Sequence, residues 1–263
     1  MLARGSHNKD IKIWEVTTGT DLMTLLGKDA LDHNWSVCVA FSPDGIHLAS
    51  GNDIGKIRVW EVLPSGEEKL LHNGHWVDDA YDGTEQRGYF VEDDGGFQKA
   101  MDYWIGALTY TPDGKMLISG SRDTTIKFFE MPQLTELRTL KGHSGWVRAL
   151  VVSPDGRVLV SASDDKTIKF WEIATGRNFR TLKGHSGWVR ALVVSPDGRV
   201  LVSASDDKTI KFWEIATGRN FRTLKGHTDG VRSLTFSPDG LRMASASWDR
   251  TVKLWEGGAE PQE

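Results

Sequence analysis

Short runs of alternating apolar and polar residues recur along the chain with a fixed period. The clearest copy covers residues 138–185, and each of its residues recurs 42 positions later, in residues 180–227. A fixed period of about 40 residues is typical of repeat architectures, in which each repeat is one supersecondary unit. Two identical copies should fold alike and present the same surface twice.

Each copy contains four short runs with the pattern of β-strands, separated by turn residues. The first run, WVRALVV, is apolar on both sides and should be buried on both faces, whereas TIKFWE alternates as a half-exposed strand does. The turn Ser153-Pro154-Asp155-Gly156 combines a proline that fixes φ with a glycine that tolerates positive φ. In the first copy the predicted strands are residues 146–152, 157–161, 167–172 and 178–182.

Four antiparallel strands per repeat, with no helical period, predict one blade of a β-propeller. The motifs Gly142-His143, SPDG, SASDD and an apolar strand ending in Trp171 resemble the WD-repeat family over nearly the whole chain. Nearly identical repeats of this kind are similar to those of bacterial members, which often belong to larger signalling or defence proteins. The family's final Asp is replaced by Glu15, Glu61, Glu130, Glu172, Glu214 and Glu256.

The predicted fold is therefore all-β, a β-propeller of four-stranded antiparallel blades with five complete inner-strand repeats and a partial N-terminal one. The third strand, as in IKIW or IKFW, occurs six times, but the innermost strand before the SPDG or TPDG turn occurs five times. The partial repeat covers residues 1–26, and a polar tail covers 257–263. The complete repeats cover approximately residues 27–72, 102–140, 141–182, 183–224 and 225–256.

The mismatch between five innermost and six third strands leaves two ways to close a ring. The resemblance implies that an outer strand from one terminus joins inner strands from the other, and Asp21–Leu26 could play that part in a ring of five. Alternatively, the chain is part of a larger ring that a missing segment or a second copy completes. An open end would expose an apolar edge, which soluble proteins avoid.

An acidic, aromatic insertion of residues 76–101 separates the second complete repeat from the third. It carries seven acidic and two basic side chains, interleaved with Trp76, Tyr81, Tyr89, Phe90 and Phe97. Alignment places it in the loop that enters an innermost strand, as a second candidate binding element or a disordered loop. Residues 78–83 faintly resemble a calcium loop, but Ala80 stands where a ligand belongs.

Composition narrows the function classes further. The net charge of −4 divides into −9 for residues 1–130 and +5 for residues 131–263, and the basic charges of the second half are spread through the repeats. Solvated strand faces explain this spread better than a nucleic-acid interface does. No apolar run is long enough for a membrane span, and the single Cys38 fits a buried thiol in a reducing, cytoplasmic compartment.

Histidine, serine and aspartate recur at matching positions in each of the last three repeats, and these residue types first suggest a catalytic triad. The family resemblance implies instead that they form, with a tryptophan, a structural hydrogen-bond network within each blade. A set of residues that recurs once in every repeat indicates a structural role, because an enzyme needs only one active site. The three complete tetrads are His143, Ser161, Asp165 and Trp171; His185, Ser203, Asp207 and Trp213; and His227, Ser245, Asp249 and Trp255.

No catalytic residue, metal or cofactor is therefore predicted, and the sequence holds no zinc-protease motif, phosphate loop or nucleophile elbow. The predicted function is a non-catalytic scaffold that binds a protein or peptide on the Gly-His end, at the rim of the central channel. Trp and Arg, the residue types enriched at binding hot spots, recur there. The candidates are Trp104, Arg122, Trp146, Arg148, Asp164, Trp188, Arg190, Asp206, Arg232 and Trp248. The alternative is a structural or engineered repeat module whose identical blades serve ring closure or self-assembly without a ligand.

Overall fold

The computed structural model describes residues 1–5, 10–26, 36–53, 55–62, 68–79, 87–92 and 104–256. Within these ranges all regular structure is β-strand, and the strand pairs with a described register are antiparallel. The chain divides into two compact units, residues 1–139 and 140–263, which we call the N-terminal and C-terminal units. The all-β class predicted from the sequence is confirmed.

The N-terminal unit contains three sheets. Sheet 1 has the order β1-β2-β3, sheet 2 the order β4-β5-β6-β7-β8, and sheet 3 the order β12-β11-β10-β9. Their strands are β1 Leu2–Gly5, β2 Asp10–Trp14, β3 Asp21–Leu26, β4 Ser36–Phe41, β5 His47–Asn52, β6 Lys56–Val62, β7 Glu68–Asp79, β8 Arg87–Glu92, β9 Ile105–Tyr110, β10 Met116–Ser121, β11 Ile126–Glu130 and β12 Thr135–Leu140.

The C-terminal unit contains three more sheets, each formed by strands that are consecutive in the chain. Sheets 4 and 5 have four strands each, and sheet 6 has three in the part of the chain that is described. Their strands are β13 Val147–Val152, β14 Val158–Ser163, β15 Ile168–Glu172, β16 Asn178–Leu182, β17 Val189–Val194, β18 Val200–Ser205, β19 Ile210–Glu214, β20 Asn220–Leu224, β21 Val231–Phe236, β22 Arg242–Ser247 and β23 Val252–Glu256.

The turn between β13 and β14 forms as its sequence predicts. Gly156 donates its backbone N–H to the Ser153 carbonyl at 2.9 Å and adopts a φ of 72°. The Asp155 carboxylate accepts from the Ser153 hydroxyl and from the Arg157 N–H, and these bonds lower the pKa of Asp155. The turn chemistry is therefore sufficient to join the two strands.

The innermost strand is less buried than its sequence suggests. In β13 only Val147 is buried and the other five residues are half-buried, whereas five of the six residues of β14 are buried. The prediction that this strand is buried on both faces is wrong. Ala149 and Val151 pack only partly buried against the apolar cluster that sheets 4 and 5 share, and the equivalent strand β17 has the same burial pattern.

Sheets of the C-terminal unit stack by one repeated contact. Val160, Ala162, Ile168 and Phe170 form what we call the forward face of sheet 4, which packs against Val189, Leu201 and Trp213 of sheet 5. The matching residues of sheet 5, which include Ile210 and Phe212, pack in the same way against Val231 and Met243 of sheet 6. Each sheet thus buries its forward face against the next sheet.

The forward face of sheet 6 is exposed. Phe170, Phe212 and Leu254 occupy the same repeat position, and their exposed fractions are 1%, 3% and 75%. Val252, which matches the buried Ile168 and Ile210, is exposed as well. The position is therefore apolar in all three sheets, but it is buried only where another sheet covers it.

Strand β3 belongs to sheet 1. It pairs with β2 in a register that places Ile11 opposite Leu25 and Ile13 opposite Met23. Ile11, Ile13 and Leu25 then pack against Leu48 and Trp60 of sheet 2. This pairing argues against the use of Asp21–Leu26 as the outer strand of the last repeat in a ring of five.

The insertion contributes strands where the sequence suggested a loop. Strand β7 continues to Asp79 and pairs with β8, with His75 opposite Val91 and Val77 opposite Tyr89. Residues 88–91, Gly-Tyr-Phe-Val, include the aromatic and β-branched types that favour strands. Residues 80–86 and 93–103, and the side chains of β7 and β8, lie outside the described part of the chain. Of the calcium-like residues 78–83, only the backbone of the first two, at the end of β7, is described.

We predict unequal costs for two alanine substitutions at one repeat position. Phe212→Ala removes a buried ring that two sheets share and should lower the free energy of unfolding by about 3–5 kcal/mol. Leu254→Ala should change it by less than about 0.5 kcal/mol, because the side chain is exposed. Urea denaturation of both variants checks this, and equal costs would contradict the exposed forward face of sheet 6.

Candidate functional site

The three complete tetrads form with nearly identical geometry. His143 Nδ1 lies 2.7 Å from Asp165 Oδ2, its Nε2 lies 2.7 Å from Ser161 Oγ, and Trp171 Nε1 donates to the same hydroxyl at 2.8 Å. The tetrads of His185 and His227 repeat these distances to within 0.1 Å. Each tetrad joins the Gly-His segment to the second and third strands of its own sheet.

The hydrogen-bond roles within a tetrad follow from the groups present. The carboxylate of Asp165 can only accept, so His143 carries its proton on Nδ1 and Nε2 accepts from Ser161. Burial raises the pKa of Asp165, but the bonds from His143 and Thr167 outweigh it and hold that pKa well below its usual range. The aspartate therefore stays ionised and also caps the following turn through the Thr167 N–H.

The glycine before each histidine leaves room for the tetrad tryptophan. Gly142 has a φ of 153°, and a Cβ added there would lie 3.0 Å from Trp171 Cη2. Gly184 and Gly226 have nearly the same φ, and a Cβ added at either would likewise lie close to the tetrad tryptophan. The Gly-His pair is thus explained by packing against the indole.

A second set of polar residues crosses the C-terminal unit from sheet to sheet. Arg148 binds Asp164 through Nε at 3.0 and 3.1 Å and through Nη2 at 2.8 Å, and Arg190 binds Asp206 in the same bidentate way. Arg190 Nη1 also lies 3.7 Å from Asp164 Oδ1, and Arg232 Nη1 lies 3.7 Å from Asp206 Oδ1. We call Arg148, Asp164, Arg190, Asp206 and Arg232 the arginine–aspartate ladder.

Each arginine of the ladder also stacks on a tryptophan. The guanidinium carbon lies 4.1 Å from the Trp146 ring centre for Arg148, and 4.6 Å from that of Trp188 for Arg190. Arg232 lies 4.7 Å from the Trp248 ring. Contacts of this kind contribute about 0.5–1 kcal/mol at exposed sites. The ladder therefore holds a row of indoles along one end of the unit.

The last sheet keeps the stacking but exchanges the residues. Asp164 and Asp206 donate their backbone N–H to the carbonyls of Trp146 and Trp188, and Trp248 donates in the same way to Gly230. Trp248 therefore occupies the aspartate position and Gly230 the tryptophan position. A Cβ at Gly230 would lie 2.8 Å from Asp206 Oδ1, so a side chain there would require a shift.

The other two candidate residues lie in the N-terminal unit. The Arg122 N–H donates to the Trp104 carbonyl at 2.8 Å, the same bond that joins Asp164 to Trp146. Trp104 and Arg122 thus take the equivalent positions of sheet 3. Eight of the ten predicted face residues meet in the ladder and its tryptophans, and these two pair with each other.

The sequence suggested a common rim for these residues but did not reveal the shared carboxylates. Asp164 lies between Arg148 and Arg190, and Asp206 lies between Arg190 and Arg232. A signal was present: an arginine is followed by an aspartate 16 residues later in two successive repeats. The contact to the next repeat depends on how the sheets stack.

Comparison with known sequences supports the repeat architecture. A family profile described as WD domain, G-beta repeat, matches residues 26–61 and 99–130, and a β-propeller profile described as WDR41 matches residues 128–255. The chain belongs to the WD-repeat β-propeller family. The WD-repeat chain resembles several curated proteins only in part.

Lissencephaly-1 homolog 1 of Paramecium tetraurelia is 41% identical over 75 residues, which are 28% of this chain and 18% of that protein. Nuclear distribution protein PAC1 of Arthroderma otae is 39% identical over 75 residues, 28% of this chain and 15% of that protein. Apoptotic protease-activating factor 1 of Rattus norvegicus is 35% identical over 115 residues, 43% of this chain and 7% of that protein. The chain thus spans a small share of these relatives' length.

The tetrads of this WD-repeat protein are unsuited to nucleophilic attack. Ser161, Ser203 and Ser245 are buried, and each hydroxyl already accepts from a tryptophan and contacts a histidine. A triad serine must instead reach a substrate carbonyl. This geometry favours the structural role predicted for the tetrads.

Among the described residues, no three His, Cys, Asp or Glu side chains gather as metal ligands do, and no helix could span a membrane. Burial raises the pKa of the Cys38 thiol to about 12, which keeps it protonated, and Sγ donates to the Ile105 carbonyl at 3.3 Å.

The N-terminal repeats carry weaker versions of the tetrad. In sheet 2 the Trp60 Nε1 donates to Ser50 Oγ at 3.4 Å, and in sheet 3 Phe129 replaces the tryptophan. In the sequence, Arg4 and Asn8 stand at the serine and aspartate positions of the first repeat, and Ile54 at the aspartate position of the second. Asn8, Ile54 and the side chain of Arg4 lie outside the described part of the chain.

We predict that loss of the tetrad serine hydroxyl lowers the free energy of unfolding more in sheet 5 than in sheet 2. Ser203→Ala leaves the buried His185 and Trp213 without their shared partner and should lower the free energy of unfolding by about 1–3 kcal/mol. Ser50→Ala breaks a longer bond and should cost less than about 1 kcal/mol. Urea denaturation followed by tryptophan fluorescence checks both, and a larger cost for Ser50→Ala would contradict the tetrad assignment.

Proposed function

We propose that this WD-repeat protein is a non-catalytic scaffold that binds a protein or peptide partner on the ladder end of its C-terminal unit. The observation that carries the proposal is the pair of exposed indoles there: Trp188 is 45% exposed and Trp248 is 61% exposed. Tryptophan is enriched at binding hot spots because it brings a large apolar area on few rotatable bonds.

The ladder would fix the tryptophans in place before a partner arrives. Arg190 is 9% exposed and is bound to Asp206, with Asp164 also nearby, so little of its guanidinium faces solvent. A rigid platform loses less conformational freedom on binding, which favours affinity. In this proposal Arg148, Asp164, Arg190 and Asp206 position the indoles, and the indoles contact the partner.

Two further elements of the interaction remain predictions. Trp104 and Arg122 hold the equivalent positions in sheet 3 and would contribute to the same kind of face. The acidic residues of 76–101 would contribute to a second one. The WD-repeat family in general serves as a platform for protein interactions, which supports a protein partner over a small molecule. A cytoplasmic location, expected from the sequence, also stays a prediction.

We predict that Trp188→Ala combined with Trp248→Ala reduces partner capture at least about tenfold, because loss of a hot-spot side chain costs about 2 kcal/mol or more. Both indoles are exposed, so the fold should be preserved. The measurement is capture from an extract of the source organism on immobilised protein, with quantitative mass spectrometry.

The matched control is Phe179→Ala, which removes an exposed aromatic side chain from strand β16, away from the ladder. Proteins captured by the native chain and by this control, but lost with the double variant, are the expected result. Equal capture by all three, at equal thermal stability, would overturn the proposed face.

A second candidate function, self-association, is favoured by the exposed end faces. The forward face of sheet 6 exposes Val252 and Leu254. Sheet 1 exposes Leu2 and Val16 on its opposite side, where the equivalent Leu159 and Ile173 of sheet 4 are buried. A second copy could place its sheet 1 against sheet 6, by the same contact that joins sheets 4 and 5.

We predict that the chain forms head-to-tail oligomers at high concentration if this second candidate holds. Leu254→Glu should then make it monomeric, because a charge would be buried in the contact. The control Leu137→Glu changes an exposed leucine of strand β12 and should leave the oligomers intact. Light scattering during size-exclusion chromatography measures the mass. Weak contacts require a concentration on the order of 100 µM, and a native chain that stays monomeric at that concentration would contradict self-association.

A further inference from the structure

Arg232 is the one arginine of the ladder without an aspartate from its own sheet. Arg148 and Arg190 each donate three hydrogen bonds to the aspartate 16 residues later. For Arg232 that position is Trp248. Within the part of the chain that the structure describes, the Arg232 guanidinium donates no hydrogen bond, and its nearest carboxylate oxygen is 3.7 Å away.

The local charge is not balanced at this end. The ladder holds three guanidinium groups and two carboxylates, which leaves one positive charge. Partial burial and the positive charge of Arg190 lower the pKa of Arg232, although it stays a cation. The side chain is 35% exposed, against 9% for Arg190, so the excess charge is accessible from solvent.

Sheets 4 and 5 provide an internal template for what would bind there. In both, a carboxylate lies against the Nε and Nη2 donors of the arginine while an indole stacks on the guanidinium plane. Sheet 6 keeps the arginine and the indole, and lacks the carboxylate. Because Trp248 stands at the aspartate position, an acidic group from outside would supply the carboxylate that this pair of arginine and indole lacks.

We propose that Arg232 and Trp248 form a subsite for the side-chain carboxylate of an Asp or Glu in a partner peptide, beside an apolar or aromatic residue that packs on the Trp248 ring. This inference rests on the proposed function, because it names the chemistry that the ladder end recognises. Bidentate pairing of a guanidinium with a carboxylate is among the stronger polar contacts in proteins.

Charge favours a carboxylate over a phosphate at this subsite. Asp206 lies 3.7 Å from Arg232, and Asp164 lies 3.7 Å from Arg190. A phosphate monoester with nearly two negative charges would be repelled by both, whereas a single negative charge neutralises the one excess cation. The subsite should therefore prefer a monoanion.

The experiment titrates two capped peptides, Ac-Gly-Phe-Glu-Gly-NH2 and Ac-Gly-Phe-Gln-Gly-NH2, into the full chain labelled with ¹⁵N at tryptophan. The indole N–H signal of Trp248, assigned with Trp248→Phe, reports binding. The Glu peptide should bind at least about tenfold more tightly than the Gln peptide, as expected for loss of a charge-assisted hydrogen bond. Equal affinities, or no shift with either peptide, would overturn the subsite.

A matched pair of variants separates charge from stacking. Trp248→Asp restores the aspartate of sheets 4 and 5, so its own carboxylate should occupy Arg232 and reduce binding of the Glu peptide at least about tenfold. Trp248→Asn has nearly the same size without the charge, and it should keep a preference for Glu over Gln. Backbone amide signals near Arg232, recorded on uniformly ¹⁵N-labelled protein, report binding here. If both variants behaved alike, the carboxylate template would be wrong.

Arg232→Gln tests the guanidinium itself. Because Arg232 makes no described hydrogen bond, the change leaves no partner unpaired, and the variant should bind both peptides equally. Two further probes distinguish the sources of the anion. Tighter binding of Ac-Gly-Phe with a free carboxyl terminus would assign the subsite to chain ends, and tighter binding of inorganic phosphate would assign it to phosphate, each against the proposal.

Failure of this inference differs from failure of the proposed function. If Trp248→Asp keeps the captured proteins and the peptides show no charge preference, the face binds its partner without the carboxylate. If the double tryptophan variant captures the same proteins as the native chain, the face itself is wrong, whatever the peptides do.

Discussion

Sheet-on-sheet packing is the contact on which the rest of this molecule depends. A sheet of this kind is apolar on both faces, so no single repeat can bury its own core. Ile168 and Phe170 are buried because sheet 5 covers them, and Ile210 and Phe212 because sheet 6 does. The apolar area removed from water is a leading source of stability in such folds. The same stacking brings Arg190 within reach of Asp164 on the preceding sheet.

The two polar networks respond differently to that stacking. A tetrad lies entirely within one sheet, so its distances in sheet 6 match those in sheets 4 and 5 although Trp255 is only half-buried. The ladder crosses between sheets, so its contacts depend on the next sheet and change at the end of the unit. The tetrad geometry is therefore the same in each of the three sheets, whereas the ladder contacts vary with the neighbours of each sheet.

This difference also explains what the sequence could predict. Turns and strand limits such as Asn178–Leu182 follow from residues of one repeat, and the structure has them as expected. The tetrad hydrogen bonds are likewise made between residues of one repeat. The half-burial of β13, the pairing of β8 with β7 and the sharing of Asp164 between two arginines depend on neighbouring strands and sheets. No local pattern carries that information, because identical residues meet different surroundings.

The same residue at one repeat position therefore does not have the same surroundings in every repeat. Arg148, Arg190 and Arg232 occupy one repeat position, but Arg190 lies near two aspartates while Arg232 lies near one. The decisive changes are small: a glycine stands where a tryptophan stood, and a tryptophan where an aspartate stood, at Gly230 and Trp248. Since the backbone bond between these positions is unchanged, the exchange alters the surface without altering the turn. Substitutions of this kind leave the local backbone unchanged, and they let a repeat protein acquire a distinct site at one end.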